Sequence, residues 1–484
     1  MSHILKKISF KYIFFSIYIL LILLLLRSII ISGLNYQYDI DELGQVQIAW
    51  LLINHYIPYI SFHFTLTPLF HWFLIPFFKI FGFSFKTIYI IKISMIFLFL
   101  LRTLITFVIV RRVFGKFVSL IFLPVFLLDP FTVYSSMQIR TDNLMMTVFT
   151  IGLLFFINGL KDNKKNYIGI SGFIFSFSAL ILLKIIPSLG IIFLIYALNC
   201  IYKKRLSDLY LFTLCAALPI LIFLIYAFSQ HYLLQMIQQI IFDRAKFNAA
   251  LLNPTAVEFF YRPNNVFFYG LPAKPVTWFI ALILPFSAFS GGIFLIISQI
   301  RAKKFDTNEL IKITLLIAMA IQSVWILTAK GIFLQYFLTL SWLLAIFTSL
   351  ILSRIKPWIL LFVFIFLGTA SIKANLNRAI FSNKEIKKNF EQIVWKTIPE
   401  NEKSFPNVLF RPLSYPLTFG TYIGDIPESI LKRWKPIYEY LKKDHVKYLL
   451  LSSYDLANIN LETKNYIYQN YIFDPATHIW ILKE

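Results

Sequence analysis

Charge is scarce in this chain. Asp, Glu, Lys and Arg together make up 14% of its 484 residues, and only 23 residues are acidic. Soluble domains carry about 25% charged residues, so a single soluble fold of this composition has no means of covering its surface. Cysteine is scarcer still. Cys200 and Cys215 are the two present, both in or beside apolar runs, which excludes a disulfide framework or a cysteine-based metal site. There is no P-loop, no Rossmann glycine pattern, no serine nucleophile elbow and no zinc-ligand spacing. Nucleotide-dependent chemistry therefore has no motif here. Disorder and a collagen-like fibre are excluded by the same composition.

What is abundant is apolar. Hydrophobic residues account for 58% of the chain, and mean hydropathy is +0.73. Leu, Ile and Phe form continuous runs of about 20 residues, the length that crosses a bilayer as a helix. A β-barrel would instead alternate over segments of about 10 residues. The composition therefore predicts an all-α polytopic membrane protein. The net charge of +23 comes from 46 basic residues clustered between the runs. This is the pattern of positive-inside topology and anionic headgroup contact, not of nucleic-acid binding. The expected partners include membrane lipids and no nucleic acid.

Lys6, Lys7 and Lys11 precede an apolar run to about Leu34, read as a retained first helix with a cytoplasmic N-terminus. Further spans are predicted at 86–110, 117–135, 142–160, 167–183, 185–201, 208–230, 275–299, 309–328, 331–353 and 357–373, about eleven in all. Residues 167–202 are one apolar stretch broken only by Lys184 and Pro187. A single helix of that length would reach ~54 Å across a ~30 Å hydrocarbon core, so two helices with a turn at Lys184 are expected. The basic clusters Arg111-Arg112, Lys161 to Lys165, Lys203 to Arg205, Arg301 to Lys304 and Arg354 to Lys356 then all fall on the N-terminal side. Residues 1–373 form the membrane domain, with extracytoplasmic loops 35–85 and 231–274. The first loop is expected to hold an interfacial helix over 42–53 and a second apolar helix ending at Gly82. Residues 374–484 change composition and predict a small α/β domain outside the cytoplasm, with short apolar runs at Val408 to Phe410, Val446 to Leu451 and Ile479 to Leu482.

Because acids are few, their positions carry information. Asp39, Asp41 and Glu42 follow the first span, and Asp142 follows Arg140 at the start of the fourth. A carboxylate at the bilayer edge is either structural, for Asp41-Glu42 a helix start that suits the macrodipole and for Asp142 a helix cap in an ion pair with Arg140, or a functional group. Lys184 and Lys330 fall at outward turns, and Arg244, Lys246, Arg262 and Lys274 lie in the second large loop. They read as snorkelling side chains or as a cationic pocket for phosphate. His55, His63 and His71 share a spacing of eight, which is not a ligand spacing, and no metal site is expected of them.

The ordered set resembles the C-type polytopic membrane glycosyltransferases, in particular the branch of protein mannosyltransferases and aminoarabinose transferases (glycosyltransferase family 39). Asp41-Glu42 is similar to the family's acidic pair. His55-Tyr56-Ile57-Pro58-Tyr59 is similar to its Gly-x-x-Pro-Tyr, with His55 where glycine is usual. Thr67-Pro68-Leu69 and Phe81-Gly82 resemble its proline-containing helix. Arg140-Thr141-Asp142 resembles its second acidic site, Lys184 its lysine in a broken helix pair, and Lys330 to Tyr336 its late Lys/Arg and Tyr segment. The proline usual shortly after that tyrosine is absent.

The resemblance implies inverting transfer of a sugar from a polyprenyl-phosphate donor to a lipid, glycan or protein acceptor at the outer face of a bacterial inner membrane. It assigns Asp41 as general base, supported by Glu42, with Asp142 positioning substrate. Lys184, Lys330, Arg262 and Tyr336 would face the donor phosphate, and Arg140, Tyr59 and His63 would line the pocket. No cofactor is expected, and a divalent ion shared by Asp41 and Asp142 is left open. The competing readings are a transporter or lipid flippase, which calls for internal repeats that this sequence lacks, and an O-antigen polymerase or ligase, which would place arginines in a large late outer loop.

Overall fold

The computed structural model describes residues 2–35, 38, 40–246, 274–302, 306–328, 334–381, 397–399, 401–405, 409–416, 432–451, 453–477 and 479–483. Among them, nine helices are long and apolar enough to cross a membrane. In lipid every backbone polar group must be satisfied within its own element, and the helix does this.

The first helices are α1 (Ser2–Asn35), α2 (Ile40–Ile53), α3 (Leu69–Phe81) and α4 (Phe85–Phe114). They are followed by α5 (Lys116–Leu128), α6 (Pro130–Ser136), α7 (Thr141–Lys161) and α8 (Lys165–Ile181). After a 3₁₀ turn at Leu183–Ile185 come α9 (Ile186–Tyr202), α10 (Leu206–Ser229) and α11 (Leu233–Ile237), which runs into a π-helical turn, Gln238–Asp243. The membrane domain closes with α12 (Lys274–Ala302), α13 (Thr307–Thr328), a 3₁₀ turn at Leu334–Phe337, α14 (Leu338–Leu352) and α15 (Pro357–Phe381).

One of the eleven expected spans differs. The segment 117–135 is not one helix: α5 stops at Leu128, Asp129 caps a new start and Pro130 opens α6. Asp129 accepts from the backbone N–H of Phe131 and Thr132 and from the Thr132 hydroxyl, and proline suits a first helical position because its missing N–H has no partner there anyway. The segment 167–183 forms a 17-residue helix as expected, about 26 Å long at 1.5 Å per residue, running from the end that holds Lys165 to the turn at Lys184. The turn expected at Lys184 is present, and α3 ends at Gly82, whose φ of 72° needs a residue without Cβ. Helix α15 continues to Phe381, past the expected domain boundary at 373.

Contacts define two ends of the bundle. At one end Arg112 pairs with Asp162, Lys161 donates to the Arg112 carbonyl and to Asn308, Arg205 donates to Asn163, and Lys165 pairs with Asp208. Three of the basic clusters therefore meet there. The opposite end collects α2, α3, the start of α7, the Leu183–Ile185 turn, the π-turn and the Leu334–Phe337 turn.

The C-terminal part is a small α/β unit. Strands β1 (Ser404–Phe405), β2 (Tyr448–Leu449), β3 (Tyr471–Asp474) and β4 (Ile479–Leu482) form a sheet in the order β1-β2-β4-β3. β1 runs parallel to β2, and the other pairings are antiparallel. Helices α16 (Ile437–Lys443), α17 (Ser453–Asn458) and α18 (Leu461–Asn470) accompany it around a core that includes Phe405, Leu441, Val446, Leu449 and Ile467. Leu409 and Phe410, grouped with this domain by their sequence, depart from it and join the core of the helical domain. Phe410 packs its ring against Phe78 and Phe83, while Gln47 donates to the Arg411 carbonyl and accepts from the Phe410 N–H.

Candidate functional site

Asp41 stands in the first turn of α2, where a carboxylate suits the positive end of the helix dipole. Its Oδ2 accepts from Arg140 Nη1 at 2.8 Å; the Asp41 side chain is 47% exposed and that of Arg140 9%. Arg140 holds extended backbone immediately before α7, and its Nε donates to Gln138 Oε1 at 2.6 Å. The segment that carries it is fixed by Asn143, whose side-chain amide donates to the carbonyls of Ser135 and Gln138.

Two residues later, in the first turn of α7, Asp142 is buried and accepts from Lys184 Nζ at 3.1 Å. The ammonium of Lys184 also lies 3.9 Å from the centroid of the Tyr336 ring. Tyr336 in turn stacks on Trp325. Arg244, just after the π-turn, donates to the Thr65 carbonyl at 3.0 Å and lies near enough to Tyr336 for its charge to act on the phenol. Lys184 is in the electrostatic field of Arg140 and Arg244, and Tyr336 in that of Asp41 and Asp142. Asp41, Arg140, Asp142, Lys184, Arg244 and Tyr336 thus form one cluster of alternating charge at the end of the bundle opposite the basic clusters.

The remaining expected site residues are placed differently. Glu42 is fully buried, accepts from the Ile139 N–H at 2.8 Å and lies 3.7 Å from Lys92 Nζ. It ties α2 to the segment before α7, a structural anchor beside the cluster. Tyr59 is buried against Phe64 and Tyr232, and its hydroxyl donates to the Leu66 carbonyl at 2.6 Å, so that polar tip is already satisfied. His63 lies edge-on to Trp434, and its Nδ1 is 4.0 Å from Asp243. Burial lowers its pKa below the usual 6.5, assisted by Arg433 and opposed by Asp243. Lys330 and Arg262 lie outside the described residues, as does Asp39.

The three evenly spaced histidines are kept apart: His55 is exposed, His63 faces Asp243, and His71 is buried with its Nε2 2.7 Å from Gln45 Oε1. Among the described residues no three His, Cys, Asp or Glu side chains converge as a metal set. Asp41 and Asp142 each pair with a protein cation, Arg140 and Lys184.

Two cations went unremarked in the sequence. Lys92 and Arg102 are both buried within α4. Lys92 sits over the Tyr38 ring, and Arg102 donates to the Ser136 hydroxyl and shares the field of Asp142. An ionisable residue inside an apolar span is itself the signal that could have found them.

Residues 65–227, about a third of the chain, match the family model for dolichyl-phosphate-mannose-protein mannosyltransferases. No curated protein matches the chain by sequence. Among solved structures, ArnT from Cupriavidus metallidurans bound to undecaprenyl phosphate superposes with a TM-score of 0.54 at 12% identity, over 82% of this chain and 82% of that one. The oligosaccharyltransferase of Archaeoglobus fulgidus, tethered to an acceptor peptide, gives 0.51 at 13% identity, over 98% of this chain and 74% of that one. The chain has the fold of the C-type membrane glycosyltransferases, in agreement with the resemblance carried by its ordered motifs, and over residues 65–227 it matches the mannosyltransferase family model.

Proposed function

We propose that this protein is a membrane glycosyltransferase that moves a sugar from a polyprenyl-phosphate carrier to an acceptor hydroxyl on a lipid, glycan or protein. The observation that carries the reading is a half-exposed carboxylate, Asp41, in one cluster with Arg140, Lys184, Arg244 and Tyr336, on a fold that ArnT presents with undecaprenyl phosphate bound. The gathering of basic clusters at the other end of the bundle supports an extracytoplasmic site in the cytoplasmic membrane.

The chemistry follows from charge. The acceptor oxygen attacks the anomeric carbon while the bond from that carbon to the phosphate oxygen breaks, its electron pair leaving with the lipid phosphate. Asp41 takes the proton of the acceptor hydroxyl as general base. Arg140 fixes the direction of the Asp41 carboxylate. Lys184 and Arg244 stabilise the leaving phosphate, with Lys330 and Arg262 assigned to the same role from their loops. Asp142 holds Lys184 in place and positions substrate. Arg140 and Lys184 balance the two aspartates, so the step calls for no cofactor.

The test is release of undecaprenyl phosphate from undecaprenyl-phosphate hexoses and pentoses by the purified protein. Turnover with one of them supports the reading. No turnover across the panel, together with no binding of undecaprenyl phosphate, removes it.

A further inference from the structure

The C-terminal domain reaches the helical domain through a clasp that the proposed chemistry does not use. Asp243 has a side chain with no exposure, and Arg433 grips it with both terminal nitrogens, Nη1 to Oδ2 at 2.6 Å and Nη2 to Oδ1 at 2.7 Å. Gln238 Nε2 also donates to Oδ1, at 3.0 Å. The residue after Arg433, Trp434, packs edge-on against the His63 ring, and the His63 backbone N–H donates to the Pro416 carbonyl. Two neighbouring residues of the C-terminal domain therefore hold two separate segments of the helical domain.

Asp243 ends the π-turn, and Arg244 is the next residue. Their side chains diverge: Asp243 faces Arg433, and Arg244 faces Thr65 and Tyr336 in the charged cluster. A π-turn accommodates one extra residue, and such turns recur at functional sites. Relaxation to a regular helix would rotate the next side chain by about 100°, one residue's turn at 3.6 residues per turn. The turn is pinned on its other side by Gln239, which donates to the Tyr59 carbonyl and accepts from the Phe64 N–H. The bidentate grip on Asp243 comes from the C-terminal domain.

We propose that Arg433 is a positioning residue for the donor site: by clamping Asp243 it holds the π-turn that aims Arg244 at the Lys184–Tyr336 cluster, so that the C-terminal domain sets the affinity for the lipid phosphate. This rests on the donor reading above, because it assigns Arg244 to the phosphate.

The experiment has two arms, each with Arg433→Gln and Arg433→Lys in the full-length protein. The first is hydrogen–deuterium exchange without ligand. Arg433→Gln should speed exchange over 238–246 and 59–67 while the strands of the C-terminal sheet keep their wild-type rates, and Arg433→Lys, with its charge but no fork, should fall between. Unchanged exchange over 238–246 in Arg433→Gln overturns the clamp.

The second arm measures binding of undecaprenyl phosphate in wild-type and Arg244→Ala backgrounds. Arg433→Gln should weaken binding roughly 3- to 30-fold in the first and hardly at all in the second, as expected for a residue acting through another. An equal loss in both backgrounds overturns the route through Arg244. A wild-type protein that binds no undecaprenyl phosphate overturns the donor reading and this assignment with it, while the exchange arm still decides whether the clasp exists.

Discussion

Lys184 rests its ammonium 3.9 Å from the centre of the Tyr336 ring while the same nitrogen hydrogen-bonds Asp142 at 3.1 Å. Both lysine and aspartate are buried, so the pair cannot be cut without consequence for the fold. Removing one partner of a buried ion pair typically costs about 3–5 kcal/mol. Lys184→Met should therefore lower stability by that order and abolish tight donor binding. Adding Asp142→Asn should restore much of the stability and none of the binding. Thermal unfolding in detergent, run beside undecaprenyl-phosphate titrations, separates the two effects, and a stable Lys184→Met variant with normal donor affinity would make Lys184 a bystander.

His63 provides a pH dependence with a definite sign. Burial lowers its pKa from 6.5, so the folded protein holds fewer protons on this ring than the unfolded chain. Stability from the neutral ring is complete above about pH 6.5 and is lost as the pH falls through the lower folded value. The joint between His63, Asp243 and Trp434 should loosen on the acid side, and His63→Gln should flatten that part of the curve. Melting temperatures measured between roughly pH 5 and 8 test this; the same acid-side slope in both proteins would exclude His63 as its source.

The sequence resolves this site unevenly. The break at Lys184 was legible because 36 apolar residues exceed a bilayer, and α3 could be closed at Gly82 because glycine ends helices. Asp41, Arg140, Asp142, Lys184 and Tyr336 all stand out in the sequence, but the ion pair it offers, Arg140 with Asp142, is not the one that forms. Arg140 and Asp142 are near neighbours in sequence, and yet Arg140 binds Asp41 and Asp142 binds Lys184. Partner choice of this kind is set by tertiary packing, which periodicity does not encode. The break before Pro130 had a readable sign, an Asp-Pro step, that the continuous hydropathy of 117–135 outweighed. Arg433 and Asp243 are 190 residues apart, and nothing local in either segment announces the other. Phe410 reads from the sequence as part of the soluble domain because an apolar run carries no record of which core receives it.

His55 illustrates how a departure from a family pattern can be read physically. It stands where glycine is usual, and its φ is 63°, in the left-handed region that glycine enters freely and that histidine tolerates better than most residues. A β-branched residue there is strained by about 1–3 kcal/mol. His55→Val should lower the melting point accordingly, whereas His55→Gly should stay within about 1 kcal/mol of wild type, since relieved strain and added chain entropy oppose each other. The side chain is exposed, so packing does not confuse the comparison. Equal stability of the valine and glycine variants would count against a backbone explanation.

Close helix approach supplies a prediction remote from the site. A Cβ on Gly291 would collide with the Phe347 carbonyl oxygen, a backbone atom that cannot swing aside. Gly291→Ala must push α12 away from α14, an overpacking that typically costs about 1–3 kcal/mol. Gly190 has open space where its Cβ would be, and Gly190→Ala should stabilise α9 by about 0.5–1 kcal/mol. Opposite shifts in thermal stability are expected, and shifts of the same sign would contradict the packing of α12 on α14.

Asp41 separates structure from chemistry most cleanly. Its ion pair with Arg140 is half open to solvent on the aspartate side, and exposed pairs contribute only about 0–1 kcal/mol. Asp41→Asn keeps the shape and an oxygen for Arg140, so the fold should hold within that margin. An amide, however, cannot take a proton from an acceptor hydroxyl, and loss of a general base costs about 10²–10⁴ in rate. Arg140→Lys should fall between, since a single ammonium preserves the charge but cannot hold Gln138 and the Asp41 carboxylate with two fixed nitrogens as the guanidinium does. The informative measurement is single-turnover transfer from saturating donor at matched thermal stability, which removes differences in donor affinity. Asp41→Asn should then retain donor binding and lose transfer. If it transfers at the wild-type rate, the base lies elsewhere, and Asp142, buried against Lys184, would have to be released from that pair to take its place.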